Sequence, residues 1–485
     1  MACVAAIGCC LNARSGYAET LADAIALAYD TNPSLQGQRA QLRATDEAYV
    51  QARAGWRPTV QAQISTNYYQ SPQTGIFGGV NVTETNNGSA ALTISQPLYT
   101  GGRVASQVRA ADAQILAGRE NLRAVEASVI LAVIQAYCDV MRDRRSVEIL
   151  RASLADMQNA SDEIKARFDA GANSRADVAQ ADAQVEATKA LLVSAEGQLS
   201  ISQAAYVAAV GQSPGELAPL PRLPGVPKTI DLAFEAVDVE NPTLQQARYA
   251  EQQARDQIAE ARAGERATLS VNASAGYTSE VVPLNRRDVY RDITASAVLT
   301  QPLMAGGAIR SQIRQAQQQD EAAELQVEAV RRSVIQAVAQ SWGQWSAAHA
   351  TSIATEAEVK AAALAVDGNR EEYRAGLRTT LDVLIAEETL RDSQTALIAS
   401  VHDDYVYQAA VLSAVGRLDA GKLLLGVPLY NPKRNLNQVK LDGMVPWEYA
   451  VEALDMLGAP NPGKAPHISS IPQPRAPAQV APPNQ

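Results

Sequence analysis

Three histidines, four cysteines and fifty-two acidic side chains are the raw material for any catalytic or metal chemistry in this 485-residue chain. His349, His402 and His467 lie far apart in sequence, with none of the short His/Cys spacings that a metal site uses. No nucleophile, base or metal-ligand cluster emerges, so the sequence reads as a non-enzyme without metal or cofactor. The polar residues that do recur at a meaningful spacing are Ser174-x-x-Asp177 and Thr379-x-x-Asp382. At that spacing a hydroxyl and a carboxylate satisfy free N–H groups at a helix start, a capping box with Asp in place of Glu. Gly171 and Gly376, just upstream, suit the left-handed residue that ends the preceding helix. This is the chemistry of helix ends, not of bond making.

Composition points the same way. There are three Phe and four Trp, and aromatics make up 5%, so large globular cores are not expected. Ala, Gln, Glu, Leu and Val dominate instead, which suits long packed helices. A formal charge of -10 argues against nucleic acid as a partner. At the start, an apolar run from Ala2 to Leu11 precedes Gly16-Tyr17-Ala18, a small-x-small pattern, so residues 1–18 read as a signal peptide that lacks its basic n-region. The plainer alternative is an unstructured N-terminus; Cys9 after Ile7-Gly8 is a faint lipid-attachment pattern. Cleavage after Ala18 would leave Cys138 as the one thiol and no intramolecular disulfide. No other apolar run of about 18 residues is evident, and a helical membrane span is not expected.

The elements that hold the two capping boxes come in duplicate. Asn32-Pro33 returns as Asn241-Pro242, and Ala54-Gly55-x-Arg57 as Ala263-Gly264-x-Arg266, both 209 positions on. Gln96-Pro97-Leu98 with Gly101-Gly102 returns as Gln301-Pro302-Leu303 with Gly306-Gly307, at 205. Phe168-x-x-Gly171 with Asp177-Val178 returns as Tyr373-x-x-Gly376 with Asp382-Val383, again at 205. The chain is a tandem repeat with one four-residue slip between Pro58 and Gln96. Copy 1 is assigned residues 19–227 and copy 2 residues 228–420.

Each copy opens with a helix and then turns to period-two alternation. Val60, Ala62, Ile64 and Tyr68 alternate with Gln61, Gln63, Ser65 and Asn67; Leu269, Val271, Ala273 and Tyr277 alternate with Ser270, Asn272 and Ser274. The strand pairs are placed at 59–70/89–98, around a Gly/Asn/Thr-rich loop from Ser71 to Gly88, and at 268–278/292–301. Strands of about 10 residues with one apolar face suit a membrane barrel with a wet lumen, and equally a soluble sheet with one solvated face. The helices break the tie. No Pro occurs between Pro97 and Pro214 or between Pro302 and Pro428, so long helices are expected within 102–211 and 305–416. The 66 residues from Gly102 to Arg167 would span roughly 100 Å. Two strand pairs cannot close a barrel of about eight or more strands, so the chain must oligomerise.

With this duplicated strand–strand–long-helix unit, QPLYTGGR at Gln96 to Arg103, and the Tyr373-Arg-Ala-Gly376…Leu381-Asp382-Val383-Leu384 turn, the chain resembles the TolC family of outer-membrane efflux proteins from about Glu19 to Gly416. The resemblance implies a mixed α and β fold: a homotrimer with a twelve-stranded transmembrane β-barrel, four strands per chain, continuous with a coiled-coil periplasmic tunnel. It implies passive export across the Gram-negative outer membrane, in tripartite efflux or type I secretion. The partners it implies are a periplasmic adaptor, an inner-membrane ABC or proton-driven transporter, and outer-membrane lipid. Carried over by position, Asp177, Tyr373, Arg378 and Asp382 would close the periplasmic gate, and the turns at Gly171 and Gly376 would receive the adaptor. Ile385 stands where the family carries a second acidic residue, and Glu387 is rotated about 200° from it on a helix. Residues 421–459 are expected to wrap the tunnel's waist, and the Pro-rich stretch 460–485 to be disordered. The rival reading is a periplasmic coiled-coil protein without a barrel.

Overall fold

The structure is a computed structural model and describes residues 18–74, 78, 80–280, 289–423 and 428–461. The expected signal segment, apart from Ala18, and the tail beyond Asn461 lie outside the described residues.

In chain order the elements of copy 1 are α1 (Leu21–Thr31), α2 (Pro33–Arg53), β1 (Thr59–Thr74), β2 (Val80–Tyr99), α3 (Arg103–Asp169) and α4 (Arg175–Val210). Copy 2 follows as α5 (Ile230–Glu240), α6 (Pro242–Ala263), β3 (Thr268–Glu280), β4 (Val289–Thr300), α7 (Ala308–Arg374) and α8 (Thr380–Val415). Short helices α9 (Ala420–Leu423), α10 (Arg434–Val439) and α11 (Glu448–Leu457) come last. The duplication survives to the residue: α3 and α7 both have 67 residues, and α4 and α8 both have 36.

The chain divides into two compact units that cut across the repeat, each built from both copies: residues 1–50, 112–251 and 322–442, and residues 51–111, 252–321 and 443–485. The expected waist segment is likewise divided, with the residues up to Asp442 in the first unit and the rest in the second.

The first unit is helical. Leu21, Ala24, Ile25 and Ala28 on one face of α1 pack with Ile130, Ile134 and Tyr137 of α3 and with Tyr206 and Val210 of α4. A second cluster joins Ala233, Ala236 and Val237 of α5 to Val334 and Val338 of α7 and Val411 and Val415 of α8. One 18-residue window of α3 is apolar enough to cross a membrane, contrary to the sequence expectation. With 44% of that window buried within the chain, its apolar residues serve the α1–α4 core.

The second unit carries a four-stranded antiparallel sheet in the order β1-β2-β3-β4. Its ladders place Thr59 opposite Ser95 and Thr268 opposite Thr300. Thr268 lies 209 positions after Thr59 and Thr300 lies 205 after Ser95, so the four-residue slip falls in the hairpin turn and the paired strands keep register. β1 and β2 reach 16 and 20 residues, well past the expected 59–70 and 89–98. Most of the expected loop is strand, because a ladder needs backbone pairing rather than apolar alternation, and its Thr residues favour extended backbone.

Register also sets the faces. Val60 pairs with Ile94, which pairs with Ala273, which pairs with Ala295. Ala62, Leu92, Ala275 and Ile293 form the next row. One face is thus apolar across all four strands, and the other carries Gln63, Ser65, Thr93, Ser95, Asn272, Ser274, Thr294 and Ser296. The apolar face is uncovered: Ile64 is 86% exposed and Leu299 68%.

Candidate functional site

The α3–α4 and α7–α8 turns are built alike. Gly171 and Gly376 both take φ of 77°, where an L side chain would be strained. Beyond them, Ala172 N–H donates to Arg167 C=O at 2.8 Å and Leu377 N–H to Glu372 C=O at 2.8 Å, closing the helix ends. Ser174 then opens α4: the Asp177 carboxylate accepts from Ser174 N–H and Oγ–H, both at 2.8 Å. Thr379 opens α8 in the same way, giving Asp382 its N–H at 2.9 Å and Oγ1–H at 2.7 Å. These bonds hold both carboxyls below the usual range, Asp177 chiefly through the Ser174 N–H and Asp382 chiefly through the Thr379 hydroxyl.

Both acids expected at the gate therefore act in their own capping boxes. Arg378 takes Glu372 at 2.7 Å, not Asp177. Tyr373 lies beneath the Arg167 guanidinium, 4.4 Å from the ring centroid, and its hydroxyl accepts from Thr380 at 3.5 Å. Ile385 is 52% exposed, whereas Glu387 is buried and accepts from Arg370 at 2.8 and 3.0 Å. Glu387 is thus engaged within its own chain.

Sequence reasoning missed the ties between copies: Arg167 of α3 on Tyr373 of α7, and Asp156 of α3 at 3.7 Å from Arg370 of α7. Around them a cavity of about 240 Å³ is lined by Asp156, Glu163, Arg370, Tyr373, Thr380 and Glu387. No sequence signal links these partners, which stand some 200 positions apart. These charges and the ring lie beside buried apolar side chains, Met157 and Ile164 of α3 and Val383 and Leu384 of α8.

A second polar cluster joins α3 to α8. His402 Nε2 lies 2.9 Å from Asp139 and its Nδ1 2.9 Å from Asp403. Arg142 binds Asp139 and Asp143, and Ser202 of α4 donates to Asp143. Burial pulls the His402 pKa down and Arg142 opposes its charge, but the Asp139 and Asp403 carboxylates outweigh both and the net shift is upward. A raised folded-state pKa adds stability that is full below the unfolded value near 6.5 and is lost as pH rises through the folded value. His402→Gln should therefore cost more stability at about pH 5.5 than at about pH 8.5 in denaturant titrations. An equal cost at both would show that the fold does not raise the pKa of the imidazole.

A sheet with both edges unpaired among the described residues, an uncovered apolar face and two 67-residue helices is the build of an outer-membrane channel subunit. The sequence profile described as "Outer membrane efflux protein" matches residues 24–212 and 235–417, and the chain belongs to that family. It is 31% identical to the outer membrane efflux protein BepC of Brucella suis biovar 1 (strain 1330), over 89% of this chain and 93% of that protein. Identity to the outer membrane protein TolC of Vibrio cholerae is 28%, over 83% of this chain and 92% of TolC. In fold it matches the solved CmeC outer membrane channel of Campylobacter jejuni with a TM-score of 0.72 at 14% identity, covering 87% of this chain and 89% of CmeC. The protein is an outer-membrane efflux or secretion channel, and the relatives it matches are channels rather than enzymes.

Proposed function

We propose that three copies close one barrel and that cargo delivered by an inner-membrane transporter and a periplasmic adaptor leaves through it without chemistry. The carrying observation is the uncovered apolar face shared by all four strands, where Ile64, Leu92, Ile293 and Leu299 are between 46% and 86% exposed. In water such a face would need a cover, and in a bilayer it needs none. Four strands per chain make twelve in three chains, above the minimum of about eight. The seam follows from the repeat. Within the chain, β2 of copy 1 pairs with β3 of copy 2. The same step between chains pairs β4 with β1 of the next copy, and carries the Ser95–Asn272 pair to Thr300 and Gln63.

Thr300→Cys combined with Gln63→Cys should give oxidised dimers and trimers on a denaturing gel. Thr300→Cys with Ile64→Cys should not, because a one-residue slip sends the side chain to the other face. Equal cross-linking of both pairs, or none in either, would defeat the seam. Cys138 adds little background, since burial first and Asp139 second push its thiol up to about 12.

At the α3–α4 and α7–α8 turns, Asp177, Tyr373, Arg378 and Asp382 form the periplasmic gate together with Arg167, Asp156 and Arg370. The two glycine turns at Gly171 and Gly376 receive the adaptor. Support for the gate is that Tyr373 already carries a cation from another helix and that Arg378 is held at its turn by Glu372. Cargo choice then rests with the inner-membrane partner.

A further inference from the structure

The two copies of the repeat part company at one place that carries charge. In copy 1, Arg53 and Arg57 converge on Glu448 of α11: Arg53 Nη2 at 2.9 Å, and Arg57 Nε at 3.0 Å on the other oxygen. Glu448 is fully buried, and Arg53 also reaches Glu452 at 3.2 Å. One turn on, Asp455 accepts from Trp56 Nε1 at 3.0 Å and from the N–H groups of Thr100, Gly102 and Ala105 at 2.7, 3.0 and 3.4 Å. Helix α11 thus fills a slot between the end of α2 and the start of α3 through three carboxylates. A Cβ at Gly102 would run into Ala459 just beyond it.

Copy 2 keeps the slot and changes its recognition. Arg53 and Arg57 become Arg262 and Arg266, but Trp56 becomes Glu265 and Thr100 becomes Ala305, so neither side chain that holds Asp455 remains. Ala105 becomes Arg310, a further cation. Among the described residues, nothing stands within 4 Å of a Cβ built at Gly307, the counterpart of Gly102. The result is a cavity of about 510 Å³ lined by Arg262, Arg266, Arg310 and Arg314, with Glu265 the one carboxylate among the described lining residues. That size suits a small ligand better than a ten-residue helix, and the described residues hold one α11 for two slots. Among the described residues Arg266 and Arg310 make no ion pair, while Arg262 gives Nη1 to Asn461 C=O at 3.1 Å. Arg314 is set aside, because its counterpart Arg109 pairs with Asp256 and the repeat step would take Arg314 to Glu47 of a neighbouring copy.

We infer that the copy-2 slot binds a phosphate-bearing anion, in place the headgroup of an anionic phospholipid at the periplasmic edge of the barrel. Guanidinium forks match phosphate oxygens bidentately, and a copy-1 site of the same descent already holds an oxyanion on two of them. Place supplies the lipid. Arg266 stands two residues before Thr268, which pairs with Thr300 at the same end of the sheet. Leu299, Leu303 and Met304 are 68%, 93% and 92% exposed in the adjoining chain, an apolar surface for acyl tails. The location rests on the sheet spanning the outer membrane; the anion chemistry does not.

The test uses the full chain in neutral detergent, wild type beside Arg266→Gln/Arg310→Ala, with bound lipid counted by native mass spectrometry. Arg310→Ala alone restores the residue copy 1 carries, so it guards against misfolding. Wild type should hold phosphatidylglycerol in preference to phosphatidylcholine, and the double variant should bind it roughly tenfold or more weakly, with Arg310→Ala between. Inorganic phosphate binding as tightly as phosphatidylglycerol would assign the site to free phosphate; tight lipid with weak phosphate assigns the headgroup. Equal retention of both lipids, an unchanged double variant, or preferential binding of a peptide with the α11 sequence would each overturn the site. A protein that fails to enter bilayers yet binds phosphate through Arg266 and Arg310 would sink the channel reading and leave the anion site standing.

Discussion

Glu448→Ala is expected to destabilise the sheet-bearing unit by about 3–5 kcal/mol, the usual cost of removing one partner from a buried ion pair. Its carboxylate is fully buried and stands against Arg53 and Arg57, whose side chains are 9% and 11% exposed. The variant leaves two guanidinium groups without their main anion in a slot that water reaches poorly. Glu452→Ala should cost no more than about 1 kcal/mol, because that side chain is 23% exposed and makes a single contact with an arginine that keeps Glu448. Denaturant or thermal dissociation of the purified protein separates the two. A Glu448→Ala loss within about 1 kcal/mol of wild type would mean that α11 is held chiefly by packing, Asp455 and Glu452.

The second large effect is functional. Removing both ties between α3 and α7, with Asp156→Ala and Arg167→Ser, should raise the unitary conductance several-fold and lengthen open times. Each tie is exposed enough to be worth only about 0.2–1 kcal/mol. In the proposed trimer, two such ties per chain would together bias a closed state by roughly 2–4 kcal/mol, or about thirtyfold or more in the closed-to-open ratio. The Arg370–Glu387 pair is left intact, so no buried acid loses its partner. Conductance equal to wild type would show that these contacts only pack the helix ends and that closure lies elsewhere.

What the sequence made legible was local or repeated. Both capping boxes, the αL glycines and the ends of α3 and α7 could be read within a few residues, because each rests on neighbours in sequence. The duplication could be read because Asn-Pro, Gln-Pro-Leu and Gly-Gly keep one spacing over long stretches. The reach of β1 and β2 could not be read, since polar Thr and Asn residues pair by backbone and leave no apolar rhythm. The slot of α11 was equally hidden: Arg53 and Glu448 are 395 positions apart, and nothing in either neighbourhood names the other. The α7–α8 turn shows the same limit: the contacts of Arg378 with Glu372 and of Tyr373 with Arg167 emerge only in the folded helices.

The central claim is that this chain makes a membrane pore, and single-channel recording of the detergent-extracted wild type in a planar bilayer tests it most directly. Small, uniform and long-lived current steps are the predicted result, as expected of a barrel in series with a nearly closed gate. No steps, from protein that also comes out of cells without detergent, would contradict the pore and return the apolar sheet face to the role of a soluble contact surface.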